Sequence, residues 1–275
     1  MIREETLGTC TPTAFKNALT DQGIIILRSA INRGKLSHFK AQLERALAFY
    51  ASLTESDIGA RDYDRWWGAG NSPAFQLHQA HNGYISDPML ADATEGAVSF
   101  YDLISDPAFH ALLAGAFPGL IFRKSTVTHC RRIRPDHQHG WGTPVPLHCD
   151  LRYHRDGPFA LNFWVPFDPA GGAFGRPGLE IASIGPAAMA RYLESNDAAL
   201  PTFNERKFEI DEFERSFGVD ALERPNLDLG DVMVFTSWTL HRTYIPKDAS
   251  DGRLSAEVRM FTDTLPINRS APTTR

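Results

Sequence analysis

Between residues 35 and 51 apolar side chains return every three or four positions. Leu36, Phe39, Leu43, Leu47 and Tyr50 fall on one stripe, which is the period of an amphipathic helix with one packed face. A shorter stretch, 12–22, predicts an earlier helix: Thr11 or Thr13 can cap it, Phe15, Ala18 and Leu19 share a face, and Gly23 follows as a stop. Ile24-Ile25-Ile26-Leu27 then reads as a short β run. Residues 57–89 hold Trp66, Trp67, His78, His81 and several turn residues, and read as a connection that can lie over a pocket. Residues 89–117 are helical again, with Pro107 opening a second helix that Gly115 to Pro118 closes.

Beyond residue 118 the period shortens to two. Ile121–Ile133 alternates, and a loop of Pro, Gly and His leads to Val145-Pro146-Leu147-His148-Cys149-Asp150. Short β runs follow at 159–165, 179–184, 232–235, 240–245 and 254–261, with 207–210 as a further candidate. Residues 186–204 read as helix and loop, and 211–223 fit neither template. About eight short strands with turn signals between them predict a mainly β fold with flanking helices, a sandwich or barrel of the jelly-roll kind. The expected organisation is one domain over 1–275, with a mostly helical front part (1–118) and a jelly-roll core (119–265).

Composition narrows the class. Of 275 residues 43% are hydrophobic, enough for a sizeable core and too many for a disordered chain. The net charge is −5, from 28 Lys+Arg against 33 Asp+Glu, with no block of one sign. No nucleic-acid footprint is expected from that balance. Met1-Ile2-Arg3-Glu4-Glu5 leads into no apolar segment, so no signal peptide is expected, and the apolar runs are too short to span a bilayer. Cys10, Cys130 and Cys149 are odd in number and have no metal-like spacing. Free thiols in a reducing cytoplasm fit them better than disulfides. The expected partner is a small molecule, with neither nucleic acid nor membrane.

The chemistry gathers around His148. In an extended chain residues i and i+2 point the same way, so His148 and Asp150 aim at one spot and Cys149 points away. A third group follows the strand-like run Asp231–Phe235: His241. Two imidazoles and one carboxylate on one face of an octahedral ion leave its other positions open, as in non-haem Fe(II) oxygenases. A zinc- or manganese-dependent isomerase or hydrolase can use the same three residues, and a non-catalytic binding module can share the scaffold.

Arg253-Leu254-Ser255-Ala256-Glu257-Val258-Arg259-Met260 alternates cleanly, with an apolar face opposite Arg253, Ser255, Glu257 and Arg259. The polar face fits either solvent or the wall of a polar cavity, where an Arg with a hydroxyl two residues on can grip a carboxylate. Trp164 and Asn162 share the inward face of their strand, and Trp238 precedes His241. Trp164 and Asn162 suit either a substrate pocket or the core, and Trp238 suits either that pocket or a cover over the barrel. His137, in His137-Gln138-His139 between Pro135 and Gly140, suits a pocket rim.

Taken in order, His148-Cys149-Asp150, then Gly230-Asp231-Val232 and Thr239-Leu240-His241-Arg242, then Arg253-Leu254-Ser255, resemble the Fe(II)/2-oxoglutarate dioxygenases, and within them the phytanoyl-CoA dioxygenase family. The front end is similar too: a helix, Asp21-Gln22-Gly23, then an Ile/Leu strand. Residues 52–88 and 186–226 have no counterpart, and Ala182-Ser183-Ile184-Gly185-Pro186 stands where the family often has a Pro-Gly-Ser-His turn. The resemblance implies a cupin-like double-stranded β-helix, with Fe(II) on His148, Asp150 and His241. It implies 2-oxoglutarate with its far carboxylate on Arg253 and Ser255, O2 as oxidant, and release of succinate and CO2 as a small molecule is hydroxylated. A halogenating variant would need the carboxylate position vacant, and Asp150 fills it. Arg259 shares the face of Arg253, but six residues put the two roughly 20 Å apart along a strand. Arg259 is therefore expected to pair with Glu257 and to act on stability.

Overall fold

A computed structural model of the chain describes residues 1–53, 77, 80–125, 127–136, 144–150, 159–195, 210–218 and 222–262. Trp66, Trp67, His78 and His137 lie outside the described residues.

The core is a double-stranded β-helix. Its strands are β1 (Glu4–Thr6), β2 (Ile24–Arg28), β3 (Tyr84–Ser86), β4 (Arg123–Lys124), β5 (His129–Ile133), β6 (Phe159–Pro166), β7 (Gly178–Ala182), β8 (Leu222–Glu223), β9 (Val232–Thr236), β10 (His241–Tyr244) and β11 (Arg253–Thr262). The larger sheet runs β1-β2-β9-β6-β11-β5-β3, with β4 also on β11, and the smaller runs β10-β7-β8. Apart from the parallel β1–β2 pair, neighbouring strands are antiparallel.

The helices are α1 (Pro12–Asp21), α2 (Arg33–Ser52), α3 (Asp87–Ala93), α4 (Pro107–Ala116), α5 (Pro186–Ser195) and α6 (Ile210–Phe217), with a 3-10 turn at Phe100–Ile104. Thr11 caps α1, its hydroxyl accepting from Ala14 N at 3.1 Å, and Pro12 opens the helix, as its missing N–H allows. Residues 1–118 carry α1 to α4 and also supply three strands of the larger sheet. Of the candidate strand 207–210, Ile210 opens α6 instead, and 207–209 lie outside the described residues. The strongly amphipathic turn of residues 210–217 packs Phe213 into the core, a three- to four-residue period too short to stand out in the sequence.

Period two gives the larger sheet two different faces. Ile25, Leu27, Val232, Val234, Leu161, Phe163, Leu254, Ala256 and Val258 point outward and join Phe15, Phe39, Leu43 and Phe109 of the helices in the main core. The opposite face looks at the smaller sheet. At one end it is apolar, where Ile24, Ile26, Met233 and Phe235 meet Leu179 and Ile181 of β7. At the other end it is polar, and there the site lies. No helix among the described residues is long and apolar enough to cross a membrane.

Two tight contacts tie the front of the chain to the strands that carry the site. Gly23 has φ +76°, and its carbonyl accepts from Thr236 N at 2.9 Å and Thr239 Oγ1 at 2.8 Å in the turn before His241. A Cβ there would lie 2.7 Å from Ile184 O, so only glycine fits. Asp231, buried at the start of β9, accepts from Arg28 Nη1 at 2.5 Å, Ser29 N at 2.9 Å and Asp228 N at 2.9 Å. Removing one partner of a buried ion pair costs about 3–5 kcal/mol, because the other partner is left uncompensated. Arg28 is partly exposed and keeps Glu4, which places Asp231→Ala at the low end, about 3 kcal/mol. Urea unfolding measures it, and a loss under about 1 kcal/mol would make Asp231 an ordinary turn residue.

Candidate metal centre and its cavity

His148 and His241 come together through the backbone. His148 N donates to His241 O at 3.0 Å and His241 N to His148 O at 2.8 Å, and further on Asp150 N donates to Ser237 O at 3.0 Å. The stretch around His148 is thus tied to β10, but by a single bridge, with a bend at Leu147, and it is not the strand its alternation predicts. Pro144 and Pro146 explain the difference: neither has an N–H to give to a ladder.

Each imidazole is oriented from behind. His148 Nδ1 lies 2.8 Å from Pro146 O, and His241 Nδ1 lies 3.1 Å from Thr239 O. A carbonyl oxygen only accepts, so both rings carry their proton on Nδ1 and turn Nε2 toward Asp150. His148 Nε2 stands 3.8 Å from Asp150 Oδ1, and His241 Nε2 stands 3.9 Å from Oδ2. One ligand atom from each of the three residues lies within 4.8 Å of the others, and all three residues are buried. Fixing the far nitrogen of a ligating histidine is how proteins pre-orient a metal site.

Asp150 is 1% exposed. Its Oδ2 accepts from Asn162 Nδ2 at 2.7 Å, while Oδ1 makes no hydrogen bond among the described residues although Arg259 Nη2 is 3.1 Å away. The guanidinium is close enough to neutralise the carboxylate but not aligned to donate to it. A buried carboxylate with one oxygen lacking a donor among the described residues, facing two imidazole acceptors, is a donor set suited to a divalent cation. Burial pushes the Asp150 carboxyl up, but Arg259 and the two imidazoles outweigh it and hold it well below the usual carboxylate range. Burial, helped by His241, lowers His148 to about 4, so that ring is neutral and able to ligate near pH 7.

Arg259 pairs with Glu257 as its spacing suggests, Nε to Oε1 at 2.9 Å, but it also donates to Asn162 Oδ1 at 3.1 Å. It stands in the layer around Asp150, which an effect on stability alone does not describe. Its distance from Arg253 along β11 is real, yet both line one cavity of about 160 Å³ together with His148, Asp150 and His241.

Arg253 is at the far end of that cavity and 4% exposed. Nη1 donates to Gly178 O, the guanidinium lies 4.8 Å over the Trp164 ring, and Nε has no hydrogen-bond partner among the described residues. No carboxylate among the described residues pairs with it. Burial, and then the neighbouring Arg131, lowers it to about 9, still cationic at neutral pH. Ser255 stands two residues on along the same wall.

The other candidates separate. Trp164 lines the cavity; Asn162 lies behind Asp150, fully buried. Trp238 packs instead with Leu147, Cys149, Ala182 and Leu240 in an apolar cluster, and Cys149 faces away from the ligands into that cluster. His129, Arg131 and Tyr84 also line the cavity and were not singled out from the sequence. Their signal was there: His129 and Arg131 alternate with buried Cys130, which joins the main core on the opposite face.

No protein-family model matches the sequence, and no curated protein matches it. Solved structures do. The carbocyclase SnoK of nogalamycin biosynthesis, a non-haem α-ketoglutarate-dependent enzyme, aligns over 94% of this chain and 86% of its own with TM-score 0.58 and 13% identity. The chain has the fold of the non-haem 2-oxoglutarate-dependent enzymes. The epimerase SnoN, solved with Fe3+, α-ketoglutarate and nogalamycin RO, aligns over 90% of this chain and 81% of its own (TM-score 0.53, 16% identity). AviO1 from Streptomyces viridochromogenes Tue57 aligns over 94% and 98% (TM-score 0.54, 16% identity).

The buried imidazoles make stability depend on pH. Burial lowers His129, like His148, from 6.5 to about 4. Between those values the unfolded chain binds protons that the folded chain refuses, so acidification favours unfolding. Depressed Asp150 extends the loss to lower pH. The urea midpoint of the metal-free protein is expected to fall steadily from pH 6.5 to pH 4, and less steeply in His129→Phe. A flat profile would mean that these rings are solvated.

Proposed function

We propose that the chain is a non-haem Fe(II)- and 2-oxoglutarate-dependent oxygenase of the phytanoyl-CoA dioxygenase type. In this reading it hydroxylates a small molecule and releases succinate and CO2. The observation that carries it is one cavity joining three buried ligand groups to a buried guanidinium with no anionic partner among the described residues. A metal-dependent hydrolase or isomerase needs the three ligands but has no use for the cation. An uncompensated buried charge costs several kcal/mol, which an anionic co-substrate would recover.

His148, Asp150 and His241 would hold the iron, and Arg253 with Ser255 would take the far carboxylate of 2-oxoglutarate. Bound iron supplies oxygen activation and the oxidation of substrate. The chain supplies placement. Asn162 and Arg259 keep the Asp150 carboxylate ionised and in one rotamer, Pro146 O and Thr239 O hold the imidazole tautomers, and Trp164 keeps the clamp guanidinium flat against one wall. The whole of 1–275 is taken as one catalytic unit, because β1–β3 of the front part complete the sheet that carries the site. Cys10, Cys130 and Cys149 are buried and form no disulfide among the described residues, which suits the cytoplasm.

The test is oxygen-dependent succinate formation from 2-oxoglutarate in the presence of Fe(II). Wild type is expected to form succinate and Asp150→Ala to form none. Arg253→Ala is expected to raise the 2-oxoglutarate requirement at least about tenfold, since a charge-assisted contact in a confined site is worth on the order of 2 kcal/mol or more. Absence of succinate with intact wild type, iron and oxygen would leave the hydrolase reading in its place.

A further inference from the structure

His129 and Glu257 face each other across the cavity wall. They are direct neighbours in the sheet, paired between β5 and β11, and both line the space in front of the three ligand residues. His129 Nδ1 lies 3.3 Å from Val127 O. The carbonyl can only accept, so the proton sits on Nδ1 and Nε2 bears the lone pair. Burial lowers the ring to about 4, which keeps it neutral near pH 7. Tyr84 stacks on the ring at 4.7 Å and 21°, fixing its plane.

Glu257 is held in the same way. Its Oε1 takes both Arg259 Nε, at 2.9 Å, and Nη2, at 2.5 Å, so the cation is matched on one oxygen. Oε2 is the oxygen left over, and it stands 3.9 Å from His129 Nε2. That is too far for a hydrogen bond, and two lone pairs would not form one at any distance. Neither atom has a hydrogen-bond partner among the described residues. The other charged and titratable groups around the pair are Arg131 on β5, Arg253 on β11, Asp150, and His148 and His241. None of them donates to Oε2 or Nε2.

We propose that His129 Nε2 and Glu257 Oε2 form a paired-acceptor subsite that receives a hydrogen-bond-donor group of the substrate, an amine or adjacent hydroxyls, beside the metal centre. The inference deepens the oxygenase reading and rests on it for the role of the cavity. Its physical basis is satisfaction: two fixed acceptors in a confined site reject an apolar or acceptor-only group, because each would stay unpaired. A group with two hydrogens to give satisfies both. Because Arg259 already balances the Glu257 charge, neutral hydroxyls suit the pair as well as an amine does.

The probes are the vicinal diol of cyclohexane, its dimethyl ether and cyclohexylamine, titrated by ligand-observed NMR. The protein is loaded with Mn(II) or Zn(II) and 2-oxoglutarate, and the series is repeated without metal. The diol or the amine is expected to bind wild type at least tenfold more tightly than the ether, and whichever binds tighter identifies the donor. His129→Phe keeps the stack on Tyr84 and removes the acceptor; Glu257→Gln can turn an N–H toward the same place. Each is expected to abolish the preference while circular dichroism and the unfolding midpoint show a folded protein. Equal binding of ether, diol and amine to wild type would overturn the proposal, as would a preference that survives both substitutions. The acceptor pair needs no metal, so failure to bind metal or 2-oxoglutarate would count against the oxygenase reading alone, and the metal-free series still decides the subsite.

Discussion

A carboxylate buried to 1% exposure is the constraint on which the site depends. An isolated ion in such a place costs several kcal/mol even after relaxation, so Asp150 survives ionised only with its surroundings arranged around it. Those surroundings come from three places in the chain. Arg259 is on β11, Asn162 on β6, and the imidazoles flank the bridge between the 144–150 stretch and β10. Arg259 and Asn162 are direct partners in the β6–β11 register. A slip of β11 by one residue would send Arg259 into the apolar outer face and leave Asp150 without its cation. The register of the central strands and the ionisation of one side chain are therefore a single problem with one solution.

The same alternation separates stability from chemistry. Outward residues of the large sheet pack on α1, α2 and α4 and form the main core. Inward residues at one end are apolar and close the gap between the sheets, and at the other end they are Arg253, Ser255, Glu257 and Arg259. β11 lines the cavity with four polar side chains in steps of two, Arg253, Ser255, Glu257 and Arg259. The helices contribute none of these groups. They hold the frame in which the inner face can stay polar and dry.

Much of this was legible in the sequence, for physical reasons. Period two over 253–260 showed a two-faced strand, and His148 and Asp150 showed a convergent pair, because side-chain direction in extended chain is set by parity alone. The jelly-roll class followed from the number and spacing of short β runs. What stayed hidden depended on distance in space. Nothing local says that Arg259 reaches Asp150, since 109 residues separate them and only the β6–β11 register joins them. Trp238 looked suited to a pocket because it precedes His241, but the turn between β9 and β10 rotates it into the apolar cluster around Leu147 and Leu240. The His148 stretch alternates like a strand, yet Pro144 and Pro146 limit it to a bridge. His129 was readable by its parity opposite Cys130, and its meaning appeared only when β5 was laid beside Glu257.

The central claim is that one cavity brings a metal triad and an anion clamp within reach of the same small molecule. An anaerobic crystal structure of the protein grown with Fe(II) and 2-oxoglutarate tests it most directly. The account predicts iron on His148 Nε2, His241 Nε2 and an Asp150 oxygen, with the co-substrate bridging from iron to the Arg253 guanidinium. Iron bound elsewhere, or 2-oxoglutarate bound with Arg253 still unpaired, would contradict it.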